Sequence, residues 1–241
     1  MHTRDLWERL RQMSRAAETV RMPSADRDLG NPGLIAFLRS LRRERKEAEG
    51  RLPLADLEVV VVDLETTGFS PDRGDTILSI GAVAMRGDQL LLGESFYSLV
   101  DPGRPIPPHI ASLTGIRDEM VRTAPDPAAA LQRFFQFVGD RPLVAHHSRH
   151  ERQFFRAALW KHGRRRFTHR LLDTMLLVRV SGEVIGNSSL DALCAAHGIH
   201  ISRRHHAYCD AVAAASLWGI YLRKAIEQGY TDLGEIYEEL R

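Results

Sequence analysis

The sequence predicts an α/β domain built on a mixed β-sheet, and three observations carry that reading. Glu58-Val59-Val60-Val61-Val62-Asp63 is an unbroken β-branched run, as expected of a central strand buried on both faces. Two further strand-like stretches, Thr76 to Met85 and Leu90 to Val100, follow it directly. Beyond them, short apolar strands alternate with segments of helical periodicity, the order that builds helices around a sheet. The chain has 241 residues, 44% hydrophobic and 27% charged, enough to bury a full core and unlike a disordered segment.

In chain order, residues 1–55 read as a helical N-terminal extension and residues 56–241 as the main domain. Leu6, Trp7, Leu10 and Met13 recur at helical spacing before Pro23 and Gly30-Asn31-Pro32-Gly33 interrupt. Leu34, Phe37, Leu38 and Leu41 then form an apolar stripe that runs into the charged tract Arg42 to Glu49, and Gly50 to Pro53 marks the boundary. The stripe either packs on the domain or docks a protein partner. With a turn at Arg86-Gly87-Asp88, the first three strands make an antiparallel meander. Pro105 to Pro108 opens a short helix ending near Gly115, and Asp126-Pro127 starts one that runs to Val138. Leu143-Val144-Ala145 is a short strand, and Ser148 starts a helix to about Lys161. Later helices cover 173–180, 189–197 and 207–228.

Composition excludes little beyond membranes and secretion. No apolar run approaches the roughly 20 residues that cross a bilayer, and Met1 to Val20 lacks the apolar stretch of a secretory signal. Cys194 and Cys209 are too few for a disulfide framework, so a cytoplasmic protein with reduced thiols is expected. The net charge is +2; residues 1–55 hold 12 Lys/Arg against 8 Asp/Glu, leaving 21 against 23 for the rest. That balance neither announces a nucleic-acid binder nor excludes one, because bound cations reverse the sign of a local field.

Four places carry chemistry. Asp63 and Glu65, two apart at the end of the most strand-like segment, share one strand face, where a hard cation would relieve their repulsion. Thr66-Thr67-Gly68 turns the chain tightly behind them and offers backbone N–H groups to a ligand. Asp210 falls on the apolar stripe of an Ala-rich helix, on the face of Ala214 and Leu217, where an acid is costly unless it is paired or holds a metal. His205, just upstream, can take a proton near neutral pH. The alternatives are a first-turn acid favoured by the helix dipole, and a zinc site from His205 or His206 with Cys209, which lacks a second ligand pair at finger spacing. Ser148-x-x-Glu151 has the pattern of a capping box, with His146 and His147 just ahead of it.

Taken together, these segments resemble the DnaQ-like 3′–5′ exonucleases of the DEDDh class over about Glu58 to Leu222. The match lies in Val61-Val62-Asp63-Leu64-Glu65-Thr66-Thr67-Gly68, Ile80-Gly81-Ala82-Val83, Leu113-Thr114-Gly115-Ile116, Leu172-Asp173-Thr174, Ser189 to Cys194, and His205-x-Ala207-x-x-Asp210-Ala211. The family's middle motif usually reads His-Asn-Ala-x-Phe-Asp; here it is His146-His147-Ser148-Arg149-His150-Glu151, with glutamate for aspartate. Glutamate keeps the charge and reaches roughly 1.5 Å further.

The resemblance implies a ribonuclease H-like five-stranded mixed sheet flanked by helices. It also implies two Mg²⁺ or Mn²⁺ ions at the site, about 3.5–4 Å apart. Asp63 would bridge them, Glu65 and Asp210 would complete the first, Glu151 would hold the second, and His205 would act as the base. Thr66, Thr67, Gly68, His146 and His147 become candidate substrate contacts. The expected reaction releases nucleoside 5′-monophosphates from the 3′ end of a strand, single-stranded DNA before RNA. A nucleic-acid-binding module with a degenerate site is the rival from another class. The resemblance stops near Leu222, so the long polymerase-docking tail of the proofreading subunits is not expected here.

Overall fold

The structure is a computed structural model that describes residues 51–184 and 186–241; the helices expected within residues 1–50 and their Leu34–Leu41 stripe lie outside the described residues. Two compact units are present. The larger, Leu57–Gly229, holds a five-stranded sheet in the order β3-β2-β1-β4-β5. Its strands are β1 (Glu58–Thr66), β2 (Ile77–Arg86), β3 (Gln89–Leu99), β4 (Leu143–Ala145) and β5 (Leu171–Asp173). β1, β2 and β3 form the expected antiparallel meander, while β4 and β5 run parallel to β1. Parallel pairing of Val60 with Leu143 and Val61 with Val144 sets the C-terminal ends of β1 and β4 at the same edge of the sheet. Ligands of open α/β sheets gather at such an edge.

Eight α-helices accompany the strands among the described residues: α1 (Pro108–Thr114), α2 (Asp118–Val121), α3 (Pro127–Val138), α4 (Arg149–Gly163), α5 (Thr174–Val180), α6 (Leu190–Ala196), α7 (Ala207–Glu227) and α8 (Leu233–Glu239). The two starts written most plainly in the sequence form as expected. Asp126 accepts the Ala129 N–H ahead of Pro127, and Ser189 accepts the Ala192 N–H. Both faces of β1 are covered. Val60, Val62 and Leu64 pack with Phe134 of α3 and Phe154 and Phe155 of α4, whereas α7 lies against β1 and β2. Asp63 and Glu65 have the opposite parity to Val62 and Leu64, so they face the α7 side. No helix among the described residues is long and apolar enough to cross a membrane.

The smaller unit includes the described residues 51–56 and Tyr230–Arg241. Leu54 N–H donates to Thr231 O (2.9 Å), Pro53 bridges Asp232, and α8 buries Leu233 and Ile236.

Candidate active site

Close approach of α7 to the sheet assembles the site. Gly81 of β2 sits opposite Asp63 in the strand register. A Cβ at Gly81 would collide with the backbone of Ala207 and Tyr208, so only glycine lets the first turn of α7 come this near. That turn carries Asp210, 2% exposed. One donor atom each from Glu65, His205 and Asp210 lies within 4.8 Å of the others. Asp63 stands outside that triad, yet it is close enough to Glu151, Glu65 and Asp210 to feel all three charges.

The electrostatics show how crowded the acids are. Asp63 keeps partial solvent contact, but burial first, then Glu151, Glu65 and Asp210, hold its carboxyl well above the ordinary range against the pull of Arg204. Glu65 is pushed up to about 7, by burial and then by Asp210, with Arg204 again opposing. Glu151 rises to about 8, chiefly through burial; a hydrogen bond from its own backbone N–H opposes this and Asp173 adds to it. Burial also raises Asp210, while Arg204 and the His205 N–H lower it.

Arg204 is the cation that holds this cluster together. Its Nε donates to Asp191 Oδ1 on α6 at 2.6 Å, and its other nitrogen donates to Asp210 Oδ2. The His205 N–H adds a second bond to Asp210 Oδ2, at 3.0 Å. His205 takes a left-handed backbone (φ 56) to do so, at a cost of order 1 kcal/mol. Asp210 Oδ1 remains buried without a hydrogen-bond partner, and so does Glu151 Oε2. Orphaned carboxylate oxygens, raised pKa values and an all-acid, imidazole-edged donor set fit a hard divalent cation.

Glu151 is brought to the site by a route the sequence did not reveal. The capping box expected from Ser148 and Glu151 does not form: Ser148 has helical backbone angles and makes no side-chain cap. Its Oγ donates instead to Asp173 Oδ2 (3.0 Å). Asp173 also accepts the N–H groups of His147, Ser148 and Met175 at 3.2, 2.8 and 3.0 Å. This carboxylate at the end of β5 pins the start of α4, leaving the Glu151 side chain, 4% exposed, to turn inward.

The candidate substrate contacts divide. Thr67 is buried and its groups are spent: its N–H donates to Thr76 O, and its hydroxyl bonds Asp75 Oδ1 and the Thr76 N–H. The turn therefore does not offer the Thr67 N–H to a ligand, as the sequence suggested. A Cβ on Gly68 would run into the Asp75 carboxylate. Thr66 Oγ1 donates to Gly68 O and sits 3.4 Å from His150 Nε2. His146 donates through Nε2 to Ser188 O (2.8 Å) and meets Thr174 Oγ1 through Nδ1 (2.6 Å). His147, at φ 53, also donates to Ser188 O. Both rings thus brace the 188 loop beside the site.

Residues 60–218 match the exonuclease family of RNase T type. The chain belongs to that family. It is 38% identical over 203 residues to a DNA polymerase III subunit epsilon-like protein of Rhodobacter capsulatus, covering 83% of this chain and 29% of that protein. It is 31% identical over 177 residues to the PolC-type DNA polymerase III of Bacillus cereus, covering 73% of this chain and 12% of that one. The chain thus spans under a third of the curated relatives it matches. Its fold is shared with Exonuclease X in complex with 5′ overhanging duplex DNA, at 22% identity and a TM-score of 0.56, over 74% of this chain and 98% of that one.

The sequence reading gave no role to three residues of this candidate site. Asp191 lies inside the matched Ser189 to Cys194 segment and Arg204 just ahead of the His205 motif, and neither was singled out for a role. Phe69, 79% exposed, follows Gly68 and meets the His150 ring edge-on with centroids 5.9 Å apart. An aromatic residue directly after a tight turn beside an acidic pair was the available signal.

Proposed function

We propose that this chain removes nucleotides one at a time from the 3′ end of a DNA strand, single-stranded by preference, and releases nucleoside 5′-monophosphates. The observation that carries the reading is the convergence of Glu65, His205 and Asp210 beside Asp63, with orphaned oxygens on Asp210 and Glu151. Asp63, Glu65 and Asp210 would hold one Mg²⁺ or Mn²⁺, and Asp63 with Glu151 a second. When bound, such ions supply the positive charge that the attacking and departing oxygens need.

The protein's own groups do the remaining work. His205, fixed at the lip of the acidic cluster by its backbone bond to Asp210, accepts the proton of the attacking water. Arg204 holds Asp210 through Oδ2 and leaves Oδ1 for coordination. Phe69 presents an exposed ring on which a base of the strand stacks, an interaction worth about 1–3 kcal/mol.

Purified protein with Mn²⁺ should release nucleoside 5′-monophosphates from a 5′-labelled oligonucleotide as a ladder shortening from the 3′ end. The Asp210→Asn variant should not. A ladder shortening from the 5′ end, or no nucleotide release, would overturn the reading. Matched DNA and RNA oligonucleotides, single- and double-stranded, fix the substrate.

A further inference from the structure

Helix α4 leads away from Glu151 and carries a charge pattern unlike the rest of the domain. Residues 149–170 contain 8 Lys/Arg and a single acid, Glu151, which is buried. Over residues 56–241 as a whole the acids outnumber the bases, 23 to 21. Arg149, Arg152, Arg156 and Trp160 are exposed and, at 100° per residue, fall on one side of the helix. Phe154, Phe155 and Ala158 are the buried side. Exposed Arg164-Arg165-Arg166 continue the stripe past the helix end, where Arg164 lies over the Trp160 ring at 5.5 Å. Among the described residues none of these guanidinium groups pairs with a carboxylate.

Helix stability does not explain the stripe. Cations at a helix C-terminus suit its dipole, which accounts for Arg164 to Arg166. Arg149 and Arg152 lie in the first turn, where a positive charge is unfavourable. Arg152 and Arg156, four apart, add like-charge repulsion. A solvated face normally mixes signs, and this one does not.

We propose that the outer face of α4 is a track for the phosphate backbone of the strand being trimmed, on the 5′ side of the scissile bond. The proposal rests on the exonuclease reading above. On that reading the ion that Asp63 and Glu151 would hold serves the departing 3′-oxygen, which belongs to the strand that remains, so that strand leaves the site on the side where α4 begins. Fifteen residues make α4 roughly 22 Å long, about six nucleotides of axial rise. Phosphate contacts carry no base information, so the track takes any sequence, and DNA and RNA alike.

The test uses Arg149→Gln, Arg156→Gln, Arg164→Gln and Arg165→Gln combined, sparing Arg152, which donates to Leu171 O. Fluorescence anisotropy at several salt concentrations follows binding of labelled 4-mer and 20-mer oligonucleotides, both DNA and RNA. The wild type should bind the 20-mer at least about tenfold more tightly than the 4-mer, and the variant should lose that gain on both sugars. Its salt dependence should be shallower by about 2–3 in log–log slope, at roughly 0.7 per lost single-strand phosphate contact. Unchanged length and salt dependence in the variant overturns the track. A wild type with no length dependence also overturns it, and leaves the stripe to an acidic protein. Hydrolysis of thymidine 5′-(p-nitrophenyl phosphate), too short to reach the stripe, reports separately on the exonuclease reading and on the variant's folding. It should be unchanged by the four substitutions.

Discussion

The two halves of the acidic site are built differently. On the β1–α7 side, Glu65 and Asp210 converge with His205, and Arg204 already neutralises part of their charge. On the α4 side, Glu151 stands alone, with no cation among the groups that shift its pKa and with Asp173 adding repulsion. A carboxyl held near 7 is about half protonated at neutral pH, and one held near 8 mostly so, until a cation arrives. Both halves must therefore release a proton to take an ion, but the β1–α7 half, where Arg204 opposes the rise, does so more readily than the α4 half. Affinity should be tighter and less dependent on pH in the first half than in the second.

The largest effects come from removing a carboxylate in either half. Glu65→Gln and Glu151→Gln should each cut nucleotide release by about 10³-fold or more. They should differ in Mn²⁺ calorimetry: Glu65→Gln loses the tighter ion, Glu151→Gln only the weaker. If both lost the same ion, the distinction between the halves would fail. Next, His205→Ala should lower turnover about 10²–10⁴-fold while sparing Mn²⁺ binding; near-normal turnover would remove it as the base.

A pH series sharpens the contrast without mutation. Glu65 and Glu151 have raised folded-state pKa values, so the stability contributed by their protons is fully present below about pH 4.5, where folded and unfolded chains are both protonated, and it declines above that. That stability is lost as pH rises through about 7 for Glu65 and about 8 for Glu151. In EDTA the melting temperature should fall from pH 5 to pH 8, and added Mn²⁺ should restore more of it at the high end. A flat profile would contradict the assignment.

Smaller effects belong to the scaffold under Glu151. Asp173→Asn disturbs four hydrogen bonds at once and should cost about 1–3 kcal/mol in denaturant unfolding, with an activity loss of around tenfold. Ser148→Ala removes only one of them and should cost about 1 kcal/mol, with near-normal turnover. A larger loss of turnover from Ser148→Ala would mean the hydroxyl acts on more than Asp173.

The capping boxes show where local patterns stop being informative. Asp232-x-x-Glu235 forms a close variant of one: Asp232 accepts the Glu235 N–H, and Glu235 accepts the N–H of Thr231, one residue ahead of the cap, at 2.6 Å. Ser148-x-x-Glu151 has the same signature and does not, because Asp173, 25 residues away, takes the serine. Two short elements, β5 and α8, were not read from the sequence, although β4, as short as β5, was. β5 has three residues and earns its place by pairing with β4, and α8 has seven; neither is long enough to show a period.

By itself the sequence determined β1 and its meander, the helix starts at Asp126-Pro127 and Ser189, and the parity that puts Asp63 and Glu65 on one face. Each depends on residues a few positions apart, where backbone geometry alone sets the spacing. Tertiary structure decided which cation faces Asp210, that Glu151 is turned inward and not used as a cap, and that α7 closes onto Gly81. Those outcomes depend on partners such as Asp63 and Asp210, far apart in the chain, and on the burial that follows once the sheet and helices have met.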